Sequence, residues 1–228
     1  MEQFITIMFE LLEGFGNTLL LFIITLALAL PLGLLFAFGS MSKFKPLQWL
    51  MKTVIWVIRG TPLMLQILLV SFIPQYVFHV PTKQLAAALH ITINATMFLF
   101  VALAFVINYA CYFSEIYRAG IQAIPVGQYE AGKVLGLTKN QIFTRVVLMQ
   151  VVRRILPPMS NEIITLVKDT SLAQVLGVID LLNAAKHAVN YYVVLTPFIY
   201  ATVFYLIFNG ILTLLLGWTE KKLSYYKV

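Results

Sequence analysis

Long apolar runs separated by short polar connections dominate the pattern along the chain. Five of these runs are long or nearly long enough, at about 1.5 Å per helical residue, to cross a hydrocarbon core of about 30 Å. They cover approximately residues 15–39, 62–78, 94–117, 157–182 and 191–217. The pattern predicts an all-α integral membrane protein, with five transmembrane helices in one domain over residues 1–228.

The second of these spans is short and has a sharply marked start. It reaches only about 25 Å as a helix. Gly60 is followed by Thr61, which we expect as the N-cap, and by Pro62, which we expect as the first helical residue. The apolar piece over residues 54–58 is expected to form a separate turn or an interfacial helix.

Composition agrees with a membrane location. The chain is 61% apolar and 11% charged, and its mean hydropathy is +0.89. An average soluble domain is about 45–50% apolar and about 25% charged. This balance leaves too little polar surface to cover a soluble globule, and it excludes disorder, a collagen and a disulfide scaffold. Cys111 is the one cysteine, so the chain forms no internal disulfide.

Lys and Arg near the span ends predict the orientation. With the N-terminus outside and the C-terminus in the cytoplasm, thirteen of the sixteen Lys and Arg residues lie on the cytoplasmic side. The reverse orientation would place those thirteen outside and is rejected. The three histidines fall outside and far apart in sequence, so no metal site is expected; they are His79, His90 and His187.

The predicted cytoplasmic loop over residues 118–156 contains several helix start and stop signals. Pro125 can open a helix, and Gly136 can close it in the left-handed conformation. A capping box and a hydrophobic staple then mark the next start, at Thr138 with Gln141 and at Leu137 with Ile142. We therefore predict two short helices hinged at Gly136, and Pro157 is expected to open the fourth span.

Two nucleotide-related motifs are nearly matched in the same loop. Gly127-x4-Gly132-Lys133 resembles a phosphate-binding loop, but Val134 stands where Ser or Thr would hold magnesium, and the flanks are helical. A helix-turn-helix spacing is also present, at Ala131, Gly136, Thr138 and Ile142. Both ends of the loop join spans, and no third helix is available for a core. Neither nucleotide nor nucleic-acid binding is expected; an ordinary amphipathic surface loop remains the alternative.

One segment of this loop carries a family resemblance. Glu130-Ala131-Gly132-x3-Gly136 resembles the EAA loop of the permease subunits of ATP-driven importers. The family pattern reads Glu-Ala-Ala, then a Gly, and later Ile-x-Leu-Pro. The chain departs from this pattern at three positions, which are Gly132, Val146 and Met149.

Four further stretches resemble the polar amino acid branch of that family. In order, they are Arg59-Gly60-Thr61-Pro62 with Gln66, Glu115-Ile116-Tyr117-Arg118, Ile124-Pro125-x-Gly127-Gln128-Tyr129-Glu130 and Lys168-Asp169-Thr170-Ser171-Leu172. The resemblance implies the type I ABC importer permease fold and a multi-pass protein of a bacterial-type plasma (inner) membrane. It also implies uptake of an amino acid, with no catalytic residue and no cofactor in this chain.

The same resemblance implies partners. Two permease subunits, identical or homologous, would form the pore in membrane lipid. Two cytoplasmic ABC ATPase subunits would hydrolyse ATP-Mg, and an extracytoplasmic solute-binding protein would deliver the substrate. The EAA loop would supply a coupling helix that docks on the ATPase, with Pro125, Gly127, Glu130, Ala131, Gly132, Gly136 and Leu137 as the coupling residues.

Lys168 and Asp169 place two charges inside the predicted fourth span. Lys168 lies about 16 Å along a helix from Pro157, near the bilayer midplane. A charge there costs about 2.5–3.5 kcal/mol on insertion scales and indicates a function. The two can match the ammonium and carboxylate groups of an amino acid, or they can pair with neighbouring spans or across a permease dimer.

A helix break at Asp169–Thr170 would let both charges and the free amides of a new helix face the substrate. Ser171-x-x-Gln174 then reads as a capping box. Asn108 reaches a similar depth on the third span. The full set of candidate substrate-path residues is Lys168, Asp169, Thr170, Ser171, Asn108, Gln66 and Thr61.

Other interpretations stay open at this point. Glu115 and Arg118 are expected to form a local ion pair, and Arg59-Gly60-Thr61-Pro62 either starts a helix or shapes the inner end of the pore. An importer of another small polar solute is the alternative function, and a non-transport membrane scaffold is less favoured. A membrane enzyme would need a catalytic constellation that the sequence does not contain.

Overall fold

A computed structural model describes the backbone of residues 2–223 and the side chains of residues 3–223. In chain order, the α-helices are α1 (Glu2–Ser40), α2 (Lys45–Arg59), α3 (Leu63–Tyr76), α4 (Thr82–Ala88), α5 (Ile93–Gln122), α6 (Val126–Val134), α7 (Lys139–Ile142), α8 (Leu148–Asp169), α9 (Leu181–Tyr192) and α10 (Thr196–Leu223). A π-helical turn over Phe143–Val147 joins α7 to α8, and a 3₁₀-helix over Thr170–Leu176 follows α8. The described part of the chain contains no strand, as an all-α membrane protein requires.

Three helices of the described chain, α1, α5 and α10, are long and apolar enough to cross a membrane. The pair α2 and α3 together makes a fourth candidate, bent by 110° at the break between them. The helix at the predicted fourth span, α8, carries too many charges to qualify by composition. The prediction of five spans and the predicted orientation therefore stay predictions.

Helix α5 is the centre of the main core. Its buried face, which includes Phe105, Tyr109 and Phe113, packs against α1, α3 and α8. Gly33 of α1 lies so close to α5 that an added Cβ would come within 2.9 Å of the Ala110 carbonyl oxygen. The close crossing of α1 and α5 thus depends on a glycine at this position.

The N-terminal part of α1 forms a second core with α9. Leu11 is fully buried there against Leu181 and Ala185. The hydroxyl of Thr18 accepts a hydrogen bond of 3.0 Å from the Leu181 amide, and the Asp180 carboxylate caps the start of α9. The first helix is therefore longer than the predicted span 15–39, because its outer turns pack against protein.

The predicted start of the second span is wrong in detail. Pro62, not Thr61, is the N-cap residue, and the helix begins at Leu63. The Thr61 hydroxyl points back along the chain and donates to the Val57 carbonyl at 3.0 Å, so it cannot cap α3. Residues 54–58 belong to the separate helix α2, so of the two expected forms the helix is confirmed and the turn is not, while its position in the membrane interface stays a prediction.

Two further local predictions for the fourth span are wrong. Pro157 does not open a helix, because the helix that starts at α7 continues through the π-helical turn and already includes both Pro157 and Pro158. Ser171 forms no capping box, since its hydroxyl donates to the Lys168 carbonyl at 2.8 Å inside the 3₁₀-helix. The geometry does change at Asp169–Thr170, from α to 3₁₀, but no new helix N-terminus forms there.

Candidate functional site

The segment over residues 118–156, the predicted coupling loop, contains the two helices that its sequence predicts. Pro125 is the N-cap residue of α6, and Gly136 follows its end with a φ of 72°. The Leu137 amide donates to the Gly132 carbonyl at 3.0 Å, which satisfies a carbonyl at the helix end. Gly136 is required here because a side chain at this φ would be strained.

The start of α7 is fixed by its side chains. The Gln141 amide donates to the Thr138 hydroxyl at 3.4 Å, and the Thr138 amide donates to the Gln141 side chain at 2.8 Å. Both halves of the predicted capping box are present. Leu137 and Ile142 share a small core with Val147. The two helices therefore meet in a defined angle at Gly136.

Gly132, which stands where the EAA pattern has Ala, lies in the crowded contact between α6 and α7. A Cβ on Gly132 would come within 2.7 Å of Cγ1 of Ile142. Glycine at position 132, where the EAA pattern has Ala, therefore leaves room for the Ile142 side chain and does not disrupt the loop. Gln150 adds a further tie between α6 and α8, donating to the Gln128 side chain at 3.1 Å.

The outer face of α6 is open. Glu130 and Ala131 are exposed, and the apolar side chains of Val134 and Leu135 are 87% and 76% exposed. An exposed apolar patch on a stiff, capped helix is typical of a protein contact surface. Pro125, Gly127, Glu130, Ala131, Gly132, Gly136 and Leu137 all lie in or beside this one unit.

A second group of predicted site residues meets at the break between α2 and α3. The Gln66 side-chain nitrogen donates to the Ile58 carbonyl at 2.7 Å and to the Thr61 hydroxyl at 2.8 Å. The side-chain amide of Asn108, on α5, donates to the side-chain oxygen of Gln66 at 2.9 Å. Gln66 and Asn108 are only 7% and 4% exposed. The network joins three helices, and its polar groups bind one another.

The predicted pair in α8 is split by the helix. The Asp169 carboxylate accepts a hydrogen bond of 2.7 Å from the Tyr109 hydroxyl of α5, whereas the Lys168 side chain is exposed. Thr170 is buried, and its hydroxyl donates to the Val167 carbonyl. Asp169 therefore pairs with a neighbouring helix of the same chain, as one of the two interpretations expects. The Lys168 side chain points in another direction, because adjacent residues of a helix lie about 100° apart around its axis.

A cavity of about 570 Å³ opens between the end of α2, the last turns of α5, and α8. Its charged lining residues are Arg59, Glu115, Arg118, Arg154 and Glu162. Arg118 donates two hydrogen bonds to Glu115, at 2.9 and 2.6 Å, which confirms the expected local pair. Arg59 joins this pair from α2 at 3.8 Å and also lies 5.1 Å from the Tyr112 ring centroid.

A polar strip leads from this cavity to Asp169. Tyr112 and Tyr109 lie one turn apart on α5 with ring centroids 6.4 Å apart. Glu162 and Asp169 lie on the facing helix, seven residues and so about two turns apart on one side. We name Glu162, Tyr112, Tyr109 and Asp169 the α5–α8 strip.

Glu162, Tyr109 and Tyr112 are not among the site residues that the sequence predicts. The seven-residue spacing of Glu162 and Asp169 was a usable signal, because it puts two acids on one helix face. The tyrosines gave no such signal among so many aromatic residues. Among residues 3–223, no three His, Cys, Asp or Glu side chains lie together as metal ligands would.

Comparison with known proteins adds a family match. Residues 29–225 match the model of the binding-protein-dependent transport system inner membrane component family. The L-cystine transport system permease protein TcyB of Bacillus subtilis (strain 168) is 36% identical, over 93% of this chain and 86% of its own. The arginine transport system permease protein ArtQ of the same organism is 33% identical, over 94% and 92%.

A solved structure agrees over nearly the whole length. The crystal structure of an amino acid ABC transporter with histidines superimposes with a TM-score of 0.81. The two chains are 29% identical, and the match covers 96% of each.

Proposed function

The chain belongs to the family of binding-protein-dependent transport system inner membrane components, and from this premise we propose that it is the permease subunit of an ATP-driven amino acid importer. The observation that carries this proposal is the match, over more than nine tenths of the chain, to permeases named for cystine and arginine. The chain has the type I ABC importer permease fold and is a multi-pass inner membrane protein. It is a non-catalytic subunit.

The proposed assembly has three kinds of component, which are permease chains, ATPase subunits and a solute-binding protein. Residues 1–228 form one permease domain, which pairs with a second permease chain, identical or homologous. Two ABC ATPase subunits bind and hydrolyse ATP-Mg at the cytoplasmic side. An extracytoplasmic solute-binding protein delivers the amino acid on the other side.

Coupling to the ATPase is assigned to α6 and its hinge. The exposed patch that includes Glu130, Val134 and Leu135 is the proposed contact surface. The loop is joined directly to α5 and, through α7, to α8, so a displacement of α6 moves both helices that flank the cavity. ATP binding would draw the two ATPases together and shift the pore between inward and outward access.

The substrate path is assigned to the cavity and the α5–α8 strip. An amino acid carries an ammonium group, which Glu162 or Asp169 can bind, and a carboxylate, which Arg59 of the cavity lining can bind. The remaining predicted path residues position the helices around this route: Thr61, Gln66, Asn108, Thr170 and Ser171.

Purification of the tagged chain from its native membrane in mild detergent tests the proposed assembly. We expect one ATPase chain for each permease chain, counted by quantitative mass spectrometry. A second permease sequence in the complex would identify a heterodimer, and its absence a homodimer. Recovery without any ATPase, under conditions that keep other membrane complexes intact, would overturn the assignment of α6 as a coupling helix.

A further inference from the structure

Helix α2 lies across the direction of α3, at an angle of 110° to it. It is held on the protein by one side. Ile55 is buried against the rest of the chain, with 3% of its surface exposed. Met51 packs against Gly39 of α1, and Arg59 pairs with Glu115 of α5. Its orientation about its own axis is therefore fixed, and so is the direction of its other side chains.

An adjoining side of α2, about a quarter turn around the helix axis from Ile55, carries an alternating row of cations and indole rings. The row consists of Lys45, Trp49, Lys52, Trp56 and Arg59, at the three- and four-residue spacings that keep side chains on one helix face. All five side chains are exposed, and the two tryptophans are 71% and 75% exposed. We call the first four of these residues the Lys–Trp row.

Lys45 and Lys52, the two cations of the Lys–Trp row, form no ion pair within the described chain. The sequence contains no Asp or Glu between Glu13 and Glu115. Within the described chain, the ion pairs of this region join Arg59 and Arg118 to Glu115, and Lys52 is in neither. Lys45 contacts only a neutral group, the Gln48 side-chain oxygen at 3.3 Å. Lys52 interacts electrostatically with Glu115 without forming an ion pair, and Glu115 is already paired with Arg118, so both lysines are available to an anion from outside the chain.

Apolar side chains flank the row. Phe44, Leu47, Leu50 and Val57 are all exposed large apolar residues. A helix with lysines and tryptophans on one face and apolar residues beside them is typical of a segment lying in the membrane interface, with rings at the headgroup level. Anionic headgroups attract lysines near the surface.

We propose that α2 is a binding site for anionic phospholipid, with Lys45 and Lys52 on the headgroup phosphate and Trp49 and Trp56 at the headgroup–acyl boundary. A second copy of the chain fits this surface less well, because the chain carries sixteen Lys and Arg against nine Asp and Glu and would bring further positive charge. The proposal concerns lipid alone and stands or falls separately from transport.

The experiment uses tryptophan fluorescence of the full chain in vesicles. A Trp218→Phe background leaves Trp49 and Trp56 as the only tryptophans, and selective excitation of tryptophan excludes the emission of the tyrosines. Brominated phosphatidylglycerol and brominated phosphatidylcholine are compared as quenchers at equal mole fraction in otherwise identical phosphatidylcholine vesicles. We expect the anionic lipid to quench more strongly, with a preference of about fivefold for each contributing lysine.

Variants assign the preference to the row. The double substitution Lys45→Gln and Lys52→Gln should reduce the ratio of quenching by phosphatidylglycerol to quenching by phosphatidylcholine to about one, while quenching by phosphatidylcholine persists. Lys83→Gln, which removes an exposed lysine of α4, should leave the preference unchanged. Equal quenching by both lipids in the unsubstituted row would overturn the proposal. A preference for phosphatidylglycerol that survives the loss of both lysines would also overturn it. The same holds if neither lipid quenches Trp49 and Trp56, because protein would then cover the two rings.

Discussion

The hydroxyl of Tyr109 donates a hydrogen bond of 2.7 Å to the carboxylate of Asp169, although the two residues are 60 positions apart in sequence. The bond joins the centre of α5 to the point at which α8 changes into a 3₁₀-helix. Asn108, the next residue on α5, holds Gln66 of α3 in the same way. One turn of α5 thus fixes the positions of two other helices.

Tyr109→Phe removes this bond and leaves the ring. Because a hydrogen bond to a charged group contributes about 1.5–3 kcal/mol, we expect a matching loss of stability, measured by thermal unfolding of the purified complex. Asp169→Asn keeps an acceptor and should be less destabilising, yet it should still lower uptake because it removes the charge. Equal uptake by Asp169→Asn and the unsubstituted protein would show that Asp169 serves only to join the helices.

Glu162→Gln tests the assignment of the cavity. If Glu162 binds the substrate ammonium, its loss should raise KM for uptake by about tenfold or more, since the interaction contributes about 1.5–3 kcal/mol. Copurification of the ATPase should be unchanged. Glu13→Gln, at an exposed acid of α1, is the matched control and should transport normally. An unaltered KM in Glu162→Gln would exclude Glu162 as the ammonium-binding group, and an unaltered KM in Asp169→Asn as well would remove the α5–α8 strip from the substrate path.

Gly136→Val tests the hinge of the coupling loop. A β-branched residue at a φ of 72° is strained by roughly 1–2 kcal/mol, so the angle between α6 and α7 should be lost and less ATPase should copurify. Gly136→Asn should be milder, because Asn tolerates the left-handed region. Gly16→Ala, at a helical glycine with open space around it, should have no effect. Full ATPase recovery with Gly136→Val would mean that docking does not need this geometry.

Gln66→Ala tests the buried network between α2, α3 and α5. The change leaves the side-chain amide of Asn108 without its partner, at a cost of about 1–3 kcal/mol for a buried group left unpaired, whereas the Ile58 carbonyl keeps a hydrogen bond of 3.4 Å from the Thr61 hydroxyl. Gln75→Ala, at an exposed glutamine of the same helix, is the control. A double-mutant cycle with Asn108→Ala should give a coupling energy clearly different from zero; independent effects would contradict the network.

The features that the sequence could predict are those set by neighbouring residues. The hinge at Gly136 and the capping box at Thr138 follow from residue types within a few positions, and nothing distant competes with them. The bonds of Tyr109 to Asp169 and of Gln66 to Asn108 join residues 60 and 42 positions apart. Their pairing depends on how whole helices pack, which no local pattern records.

Local signals also failed where tertiary structure overrode them. Thr61 has the chemistry of an N-cap, but its hydroxyl lies between the Val57 carbonyl and the Gln66 amide. Pro157 has the chemistry of a helix start, but the helix is already formed when it reaches that residue. Polar positions in spans are therefore better identified by their spacing on a helix face, as for Glu162 and Asp169, than by a single residue type.

Amino acid import is measured by uptake of labelled amino acids into vesicles that contain the complete complex, with ATP enclosed at the ATPase side and the binding protein outside. We predict uptake of at least one polar amino acid that requires both ATP and the binding protein and that falls sharply with Glu162→Gln. Uptake of no amino acid from a full panel, by a complex that still contains its ATPase and hydrolyses ATP, would overturn the proposed import of amino acids and assign the permease to another solute.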